Sequence, residues 1–228
     1  MKRVPEPELM EDEAQARAYS EADFSEPHSQ FVRLCGDAWA GSEPRGRMLD
    51  LGCGPGDITV RLAERFPRLS IDGVDGSAAM LKYGAERVRR HGLEGRIRLI
   101  QGRLPACPLP ADYDAVVSNS LLHHLSEPAV LWGAVRRCAH PGTVVFIMDL
   151  MRPEDERQAR ALTERHAADA PAVLRHDFFH SLLAAYRPAE VRAQLVEAGL
   201  EGFVVRAVSD RHLVVCGRMP SLVRDHCR

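Results

Sequence analysis

Short apolar runs alternate with helical patterns from about residue 46 to residue 217, and this alternation restricts the possible folds more than any other feature. Such runs predict buried strands, here at 47–51, 69–75, 96–100, 114–118 and 143–148. Helical patterns separate and follow them, at 57–66, 77–91, 127–139 and 188–198. Strands that alternate with helices need crossover connections, so the sequence predicts a doubly wound α/β fold with a mostly parallel sheet.

Two further apolar runs close the pattern, at 203–208 and 212–216, with the turn Ser209-Asp210 between them. This arrangement predicts a terminal β-hairpin, so one of the seven strands must run antiparallel to the rest. A six-stranded dinucleotide-binding domain has a different layout. The predicted strand count therefore argues against that class.

The order of the elements also predicts the domain organisation. Residues 1–45 are expected to form an N-terminal helical cap, and residues 46–228 the main domain. The segment 152–187 interrupts the alternation with about two helices and no strand. Because it leaves the fifth strand at the carboxyl edge of the sheet, where open α/β folds bind ligands, we expect it to act as a helical lid. Ser126 is the predicted N-cap of the helix that precedes that strand.

Charge and composition exclude several functions. The formal net charge of −2 gives no electrostatic reason to expect a nucleic-acid partner. No apolar run is long enough to span a membrane, and the first residues lack the apolar core of a secretory signal. The six cysteines form no CxxC pair and show no metal-ligand spacing. We therefore expect reduced cysteines, no metal site and a cytoplasmic location.

The loop after the first strand carries the strongest functional signal. It reads LDLGCGPGD, at residues 49–57, and its small residues allow the backbone to approach a ligand closely. The pattern is GxGxG followed by Asp57, where a further glycine would favour a pyrophosphate on the helix N-terminus. The negative charge of Asp57 disfavours a dinucleotide.

Two acidic residues at strand ends specify the ligand further. Asp50 lies beneath the loop, where it would attract the ammonium group of a bound amino acid. Asp75 ends the second strand, where it is positioned to accept hydrogen bonds from both hydroxyl groups of a ribose. Nineteen residues separate Gly56 from Asp75, the length of one helix and one return strand. An amino-acid end, a ribose and no phosphate together describe S-adenosylmethionine.

At this point the chain resembles a known family, the class I S-adenosylmethionine-dependent methyltransferases, and in particular their small-molecule branch. The resemblance extends over about residues 46–217 and rests on five stretches: LDLGCGPGD (49–57), GVDGSAAML (73–81), IQGRLPACPLP (100–110), YDAVVSNSLLHHL (113–125) and VVFIMDL (144–150). It implies a Rossmann-like methyltransferase fold and S-adenosylmethionine as the cofactor.

The resemblance also implies roles for individual residues. Gly52, Gly54 and Gly56, with Cys53 between them, would line the methionine part. Met80 would lie near the adenine edge, Ser118 and Asn119 would flank the sulfonium, and Tyr19 would fold over the cofactor.

Two positions depart from the family pattern. Gly102-Arg103 replaces the common Gly-Asp pair, whose carboxylate accepts a hydrogen bond from the adenine amino group, and arginine has no acceptor. A backbone carbonyl must then read the adenine, or Arg103 stacks on the ring. Gly76 follows Asp75 at a position where a bulky residue often packs on adenine.

Candidates for the chemistry lie beside the fourth strand. His123 and His124 follow it closely, and only one of the two can face the site because adjacent helical residues diverge by about 100°. Asn119 is expected to orient the acceptor. Asp149 could lie nearby, but no companion acidic pair suggests a metal.

Acceptor contacts are expected from two segments. The predicted lid offers four side chains: Arg152, Arg175, His176 and His180. If two of the arginines face inward, the acceptor carries a carboxylate or phosphate. The N-terminal segment offers a second wall of four residues, for which ordinary helix packing is an equally good account: Tyr19, Asp23, Phe24 and His28.

These observations predict an enzyme that transfers a methyl group from S-adenosylmethionine to a small-molecule acceptor by direct in-line displacement. Three alternatives stay open: an enzyme that modifies a tRNA base with a group derived from the same cofactor, a non-catalytic S-adenosylmethionine-binding subunit, and a dinucleotide oxidoreductase. The acceptor, and whether the chain forms a homodimer, stay open as well.

Overall fold

The computed structural model describes residues 1–6, 11–39, 41 and 43–220. It contains a seven-stranded sheet in the order β3-β2-β1-β4-β5-β7-β6. The strands are β1 Arg45–Leu51, β2 Arg68–Asp75, β3 Ile97–Gln101, β4 Tyr113–Asn119, β5 Ala139–Leu150, β6 Val204–Ala207 and β7 His212–Arg218. Strands β1 to β5 pair in parallel, and β7 is antiparallel to both of its neighbours, β5 and β6. The predicted doubly wound α/β fold is confirmed.

Helices cover both faces of this sheet. They are α1 Glu13–Glu21, α2 Ser25–Asp37, α3 Asp57–Arg65, α4 Ala78–Arg90, α5 Ala129–Cys138, α6 Glu156–Ala167, α7 Ala172–Ala184 and α8 Pro188–Glu197. A short 3-10 turn, Leu122–His124, follows β4. In the described ranges, no helix is both long and apolar enough to cross a bilayer.

The core has two layers because successive strand residues point to opposite faces. Met48 and Leu49 are both fully buried, yet Met48 packs on the face of α2 while Leu49 packs on the face of α5. On the first face, Phe31 of α2 meets Phe146 of β5 edge to face, with ring centroids 5.1 Å apart. Helix α2 is therefore part of the main core, although it precedes β1 in the chain.

The structure corrects one sequence prediction, the helix cap at Ser126, and describes five of the six cysteines. The expected cap at Ser126 is wrong: α5 begins at Ala129 behind Pro128, whose φ of −62° already suits a helix. The described cysteines are free, whereas Cys227 lies in the segment 221–228, outside the described residues.

The segment between β5 and α8 has the predicted composition of two helices, α6 and α7, and no strand of its own. A single parallel bridge between Met151 and Tyr186 closes the base of the segment. Its two helices pack on each other through Ala159, Leu162 and Leu182. The segment thus starts and ends at the carboxyl edge of the sheet.

Candidate cofactor and acceptor site

A cleft opens at the carboxyl edge of β1, β2 and β4, under helix α1. Register explains why these strand ends meet: Leu51 pairs with Val74 of β2 and with Ser118 of β4. The residues that follow on each strand therefore reach the same edge. Most of the predicted cofactor residues line this cleft: Tyr19, Asp50, Gly52, Cys53, Gly54, Asp75, Gly76, Met80, Gly102, Arg103 and Asn119.

The glycine loop forms the floor of the cleft. The backbone N–H groups of Gly52 and Cys53 both donate to the carbonyl of Val74, at 2.8 and 3.1 Å, which ties the loop to β2. Gly52 has a φ of +73°, and a Cβ there would lie 3.0 Å from the side chain of Leu121. A side chain at this position would strain the backbone and crowd the neighbouring loop.

Two of the predicted cofactor residues lie beside the cleft instead of lining it. Gly56, also at positive φ, caps α3 and faces Gly84 of α4, where a Cβ would come within 3.4 Å of the Gly84 Cα. The fully buried Ser118 donates its hydroxyl to the carbonyl of Leu51 at 2.7 Å. Both residues hold the loop and the strand ends in place.

Asp75 is held rigidly at the end of β2. Its Oδ2 accepts a hydrogen bond from the N–H of Gly54 at 2.9 Å, and its Oδ1 accepts one from the N–H of Ser77 at 2.8 Å. Burial raises the pKa of Asp75, and these two hydrogen bonds partly offset that rise. The carboxylate therefore links the glycine loop to the start of α4 and borders the cleft.

Asp50 is a buried carboxylate with one close partner. It is 2% exposed, and the hydroxyl of Thr59 donates to its Oδ2 at 2.6 Å. Burial raises the pKa of Asp50 to about 6, the Thr59 hydrogen bond opposes that rise, and the charge of Asp75 adds to it. A carboxylate in this position is stabilised when a cation binds beside it.

The wall beyond Asp75 is formed by Met80, Gly102, Arg103 and Leu104. The Ser77 hydroxyl caps α4 by accepting from the N–H of Met80 at 3.2 Å. The carbonyl of Arg103 accepts from the N–H of Cys107 at 2.9 Å, and its side chain is exposed. This wall is mostly apolar and can take the flat face of an adenine ring.

Three basic side chains meet at Asp57 in the wall of the cleft, a feature that the sequence analysis missed. His28, Arg61 and Arg87 reach its carboxylate at 2.5, 2.7 and 2.6 Å. Burial alone would raise the pKa of Asp57, but its bonds to His28 and Arg61 outweigh burial and lower it. The helix N-terminus is therefore not negatively charged overall, and Asp57 by itself does not exclude a phosphate there. Arg61 stands four residues from Asp57 and was detectable from the sequence, whereas His28 and Arg87 come from α2 and α4.

The two histidines after β4 take different positions. His124 lines the cleft, while His123 is 2% exposed and its Nδ1 lies 2.5 Å from Oδ1 of Asp149. Burial would lower the pKa of His123, but the charge and hydrogen bond of Asp149 outweigh it, so the pKa of His123 is raised. In the same pair, burial would raise the pKa of Asp149, but His123 lowers it.

Glu6, from the extreme N-terminal segment, joins these histidines. Its Oε1 lies 3.1 Å from Nδ1 of His124 and 3.5 Å from Nε2 of His123, and it accepts a hydrogen bond from Ser181 at 2.9 Å. Burial raises the pKa of Glu6, while His123 and Ser181 oppose that rise. Nothing in the sequence pattern connects Glu6 with residues more than one hundred positions away.

None of the four acceptor contacts expected from the lid lines the cleft. Arg152 is 6% exposed; it lies 2.5 Å from Glu190 and donates to the carbonyl of Ala185 at 2.9 Å, so it ties the lid to α8. Arg175 and His176 are exposed on α7, and His180 stacks on His176 with ring centroids 4.3 Å apart.

Helix α7 reaches the network under the cleft through a different face. Asp177 and Ser181 are four residues apart and so share a face; Asp177 accepts from Gln15 of α1, and Ser181 donates to Glu6. The orientation of this helix could not be read from its sequence, because its apolar residues surround it.

Helix α1 forms the roof of the cleft. Glu13 pairs with Lys82 of α4 at 2.7 Å, and Gln15 donates to Asp177 of α7 at 2.8 Å. Tyr19 packs on Phe24 with ring centroids 4.9 Å apart. Burial raises the pKa of the Tyr19 phenol to about 12, so the ring stays neutral in the roof.

Comparison with known proteins agrees with this geometry. A family model described as a methyltransferase domain matches residues 48–142. Polyketide synthase ThaQ of Burkholderia thailandensis is 32% identical over 105 residues, which are 46% of this chain and 5% of that protein. The trans-aconitate 2-methyltransferase of Azoarcus sp. is 32% identical over 117 residues, which are 51% of this chain and 44% of that protein. The chain thus spans less than half the length of either relative.

Among solved structures, a SAM dependent methyltransferase from Aquifex aeolicus has the same fold. Its TM-score is 0.64 at 20% identity, over 90% of this chain and 97% of that one. The doubly wound sheet, the glycine loop and the acidic strand ends define a Rossmann-like domain for a nucleoside cofactor with an amino-acid tail. Over residues 48–142 the chain is similar to the class I S-adenosylmethionine-dependent methyltransferases, whose cofactor is S-adenosylmethionine, and the chain as a whole has their fold.

Proposed function

We propose that the protein transfers the methyl group of S-adenosylmethionine to a small-molecule acceptor by direct in-line displacement. One observation carries the proposal: the cleft beside Asn119 and His124 is covered by α1, with Tyr19 in the roof. An acceptor that enters this space must be small enough to lie under a helix.

The roof is fastened at several points, which favours a small acceptor over a polymer. Glu13 and Gln15 tie α1 to α4 and α7, and Arg87 donates to the carbonyl of Ser20 at 2.8 Å. A nucleic acid would need an open basic groove, and the formal net charge is −2. The name of the Azoarcus relative, trans-aconitate 2-methyltransferase, also describes action on a small molecule.

The residues fit the parts of the cofactor in order along the cleft. Asp50 would hold the ammonium group and Asp75 the ribose hydroxyls. Asn119 would lie beside the sulfonium. The other contacts we assign to the methionine part are Gly52, Cys53 and Gly54, and those we assign to the adenine are Gly76, Met80, Gly102 and Arg103; Gly56 and Ser118 support them from behind.

S-adenosylmethionine, when bound, supplies an activated methyl group on a sulfonium sulfur. The main task of the protein is then to place the acceptor atom in line, and positioning of this kind contributes roughly 7–11 kcal/mol to lowering a barrier. Asn119 and His124 are the polar side chains that we propose orient the acceptor. His124 would also take its proton when the acceptor carries one, and the buried His123 would position that side chain.

The test separates small acceptors from macromolecular ones. Purified protein is incubated with methyl-labelled S-adenosylmethionine and a whole-cell extract, and the extract is then divided into small-molecule, RNA and protein fractions. We expect label in the small-molecule fraction, at a rate well above that of the variant Asp75→Ala. Label in RNA or protein alone would contradict the proposal and favour one of the alternative acceptors.

Two further points belong to the same proposal. We place the protein in the cytoplasm, since free buried cysteines suit a reducing compartment. We also propose that α1 acts as the lid over the acceptor and that the α6–α7 segment holds it there through the bond between Gln15 and Asp177. Gel filtration with light scattering would decide between a monomer and a homodimer.

A further inference from the structure

We propose that Glu6, His123 and His124 form a binding site for a divalent transition metal ion, of which Zn²⁺ is the best fit. One carboxylate and two imidazoles are common zinc ligands, and each residue here offers one donor atom. All three donor atoms lie within 4.8 Å of one another. Among the residues that the structure describes, this is the one set of three that meets this condition.

The two distances from Glu6 to the histidines match those expected between ligands of a tetrahedral ion. Bond lengths of about 2.0–2.1 Å to nitrogen and oxygen place neighbouring ligand atoms about 3.3 Å apart. Glu6 Oε1 lies 3.1 Å from His124 Nδ1 and 3.5 Å from His123 Nε2. The third separation, between the two histidine nitrogens, lies within 4.8 Å, so these two atoms would need to approach each other by at most about 1.5 Å.

His123 is oriented as metal-ligating histidines usually are. Its Nδ1 is bonded to the buried carboxylate of Asp149 at 2.5 Å, so its Nε2 is the nitrogen that faces Glu6. A carboxylate on the far nitrogen fixes the tautomer and strengthens the ligand. The Asp149 carboxylate is itself fixed, because it accepts from the N–H of Leu122 at 2.7 Å.

Glu6 is held in place from both sides. Ser181 donates to its Oε1 at 2.9 Å, and a carboxylate that binds a metal is usually held by such a hydrogen bond. Just upstream, Val4 donates its N–H to the carbonyl of Leu183 at 3.1 Å, and Arg3 donates to the carbonyls of His123 and Leu125 at 2.8 and 3.0 Å. The N-terminal segment is therefore fixed to the loop that carries both histidines.

The local charge also favours a cation. Three carboxylates, those of Glu6, Asp149 and Asp177, lie close enough to interact electrostatically. Two of them are buried, since the Glu6 and Asp149 side chains are 11% and 2% exposed. The nearest guanidinium, that of Arg3, binds carbonyl oxygens and lies over the ring of Tyr186. Arg3 therefore does not occupy the space between the three ligands.

Three protein ligands leave one position of a tetrahedral ion for another molecule, as in catalytic zinc sites. Because His124 borders the cleft, that position lies on its acceptor side. This last step depends on the proposed function, and it predicts an acceptor with an oxygen, nitrogen or sulfur atom able to bind the ion. In the zinc-loaded protein His124 would not take the acceptor's proton, because an imidazole bound through Nδ1 has no free lone pair. The metal site itself does not depend on methyl transfer.

The experiment measures metal binding directly on the full chain, without cofactor or acceptor. The protein is stripped with a chelator, incubated with Zn²⁺ and desalted, and its zinc content is measured by mass spectrometry. We expect one zinc per chain, and a calorimetric affinity that falls more than about 100-fold in Glu6→Gln and in His124→Gln. Asp149→Asn should lower this affinity by about 10–100-fold, as the loss of a carboxylate that orients a metal-binding histidine usually does.

His91→Gln is the matched control. His91 Nδ1 lies 2.7 Å from Glu64 on the surface, the same kind of pair as His124 with Glu6, without a second histidine. We expect its zinc content to equal that of the wild type. Circular dichroism and S-adenosylhomocysteine binding verify that each variant is folded. The binding measurement also tests the cofactor site independently of the metal site. A wild-type chain that retains no zinc, or variants at Glu6 and His124 that retain it fully, would overturn the proposal.

Discussion

Asp50 illustrates how burial can prepare a single residue for one ligand. Its carboxylate is 2% exposed, and burial raises its pKa to about 6. The one hydrogen bond from Thr59 does not fully compensate for the loss of water. An ammonium group beside it would supply the missing charge, so we expect cofactor binding and Asp50 ionisation to be coupled.

This coupling predicts how affinity depends on pH. As pH falls through about 6, Asp50 takes up a proton, and S-adenosylhomocysteine should bind more weakly. Asp50→Asn should bind more weakly than the wild type above pH 6 and lose that dependence, and the two affinities should approach each other as pH falls. Burial disfavours the ionised carboxylate in the folded state. Without cofactor and above pH 6, the free energy of unfolding of Asp50→Asn should therefore exceed that of the wild type by up to about 3 kcal/mol.

Calorimetric titration and chemical denaturation at pH 5 and 8 measure both effects. Asp112→Asn, which removes an exposed acid paired with Arg47, is the control and should behave as the wild type in the titration. An affinity for the wild type that is constant across this pH range would contradict the role of Asp50.

Asp75 predicts a second effect at the residue scale. Asp75→Ala should weaken S-adenosylhomocysteine binding by about 1–3 kcal/mol, because the ribose loses a charged acceptor and Gly54 loses its anchor. Asp72→Asn is a matched change on the same strand, at a residue that pairs with Arg98 away from the cleft. It should lower the free energy of unfolding and leave the affinity unchanged. Equal affinities of Asp75→Ala and the wild type would remove the ribose assignment.

At the scale of elements, Arg87 joins three helices beside the cleft. From α4 it contacts Asp57 at the start of α3, at 2.6 Å, and donates to the carbonyl of Ser20 in α1 at 2.8 Å. The roof thus depends on a side chain from α4 that itself lines the cleft. Loss of this contact should loosen α1 before it affects the sheet.

We therefore expect Arg87→Ala to weaken S-adenosylhomocysteine binding by about 1–2 kcal/mol. The variant loses the hydrogen bonds of a charged side chain, and water replaces them only in part. Hydrogen exchange at residues 13–21 should become faster than in the wild type. Arg89→Ala is the control, since Arg89 stands in the same last turn of α4 and is exposed. If hydrogen exchange in α1 is equally fast in Arg87→Ala and in Arg89→Ala, Arg87 does not hold α1 in place.

At the scale of the whole molecule, His212 makes the stability of the fold depend on pH. It lies at the start of β7, 7% exposed, and its Nδ1 lies 3.1 Å from the Ser209 hydroxyl. Burial, and to a lesser extent the charge of Arg211, lowers its pKa to about 4. The unfolded chain binds this proton more readily than the folded one, so stability is full above pH 6.5 and is lost as pH falls towards 4.

At about 1.4 kcal/mol for each pH unit between those values, His212 accounts for a loss of about 3 kcal/mol in the free energy of unfolding by pH 4. In His212→Gln, the curve of stability against pH should be flatter over this interval, as measured by urea denaturation. A His212→Gln variant with an unchanged slope would contradict this account.

The sequence by itself determined the sheet and the cofactor end of the cleft. Asp50, Gly52 and Asp75 each stand at or just after a strand, and the carboxyl ends of neighbouring parallel strands must meet at one edge. Local pattern and one general rule of topology were enough to place them together.

Only the tertiary structure decided what surrounds the space that we propose for the acceptor. Glu6, His124 and Asp149 come from three distant segments, and His28 and Arg87 reach Asp57 from separate helices. Such contacts depend on the position and rotation of each packed helix. The sequence of α7 does not show which side packs inward, because apolar residues lie on all sides of the helix. For the same reason Arg152, expected at the acceptor, instead pairs with Glu190 under the lid: a long side chain goes where packing leaves its charge a partner.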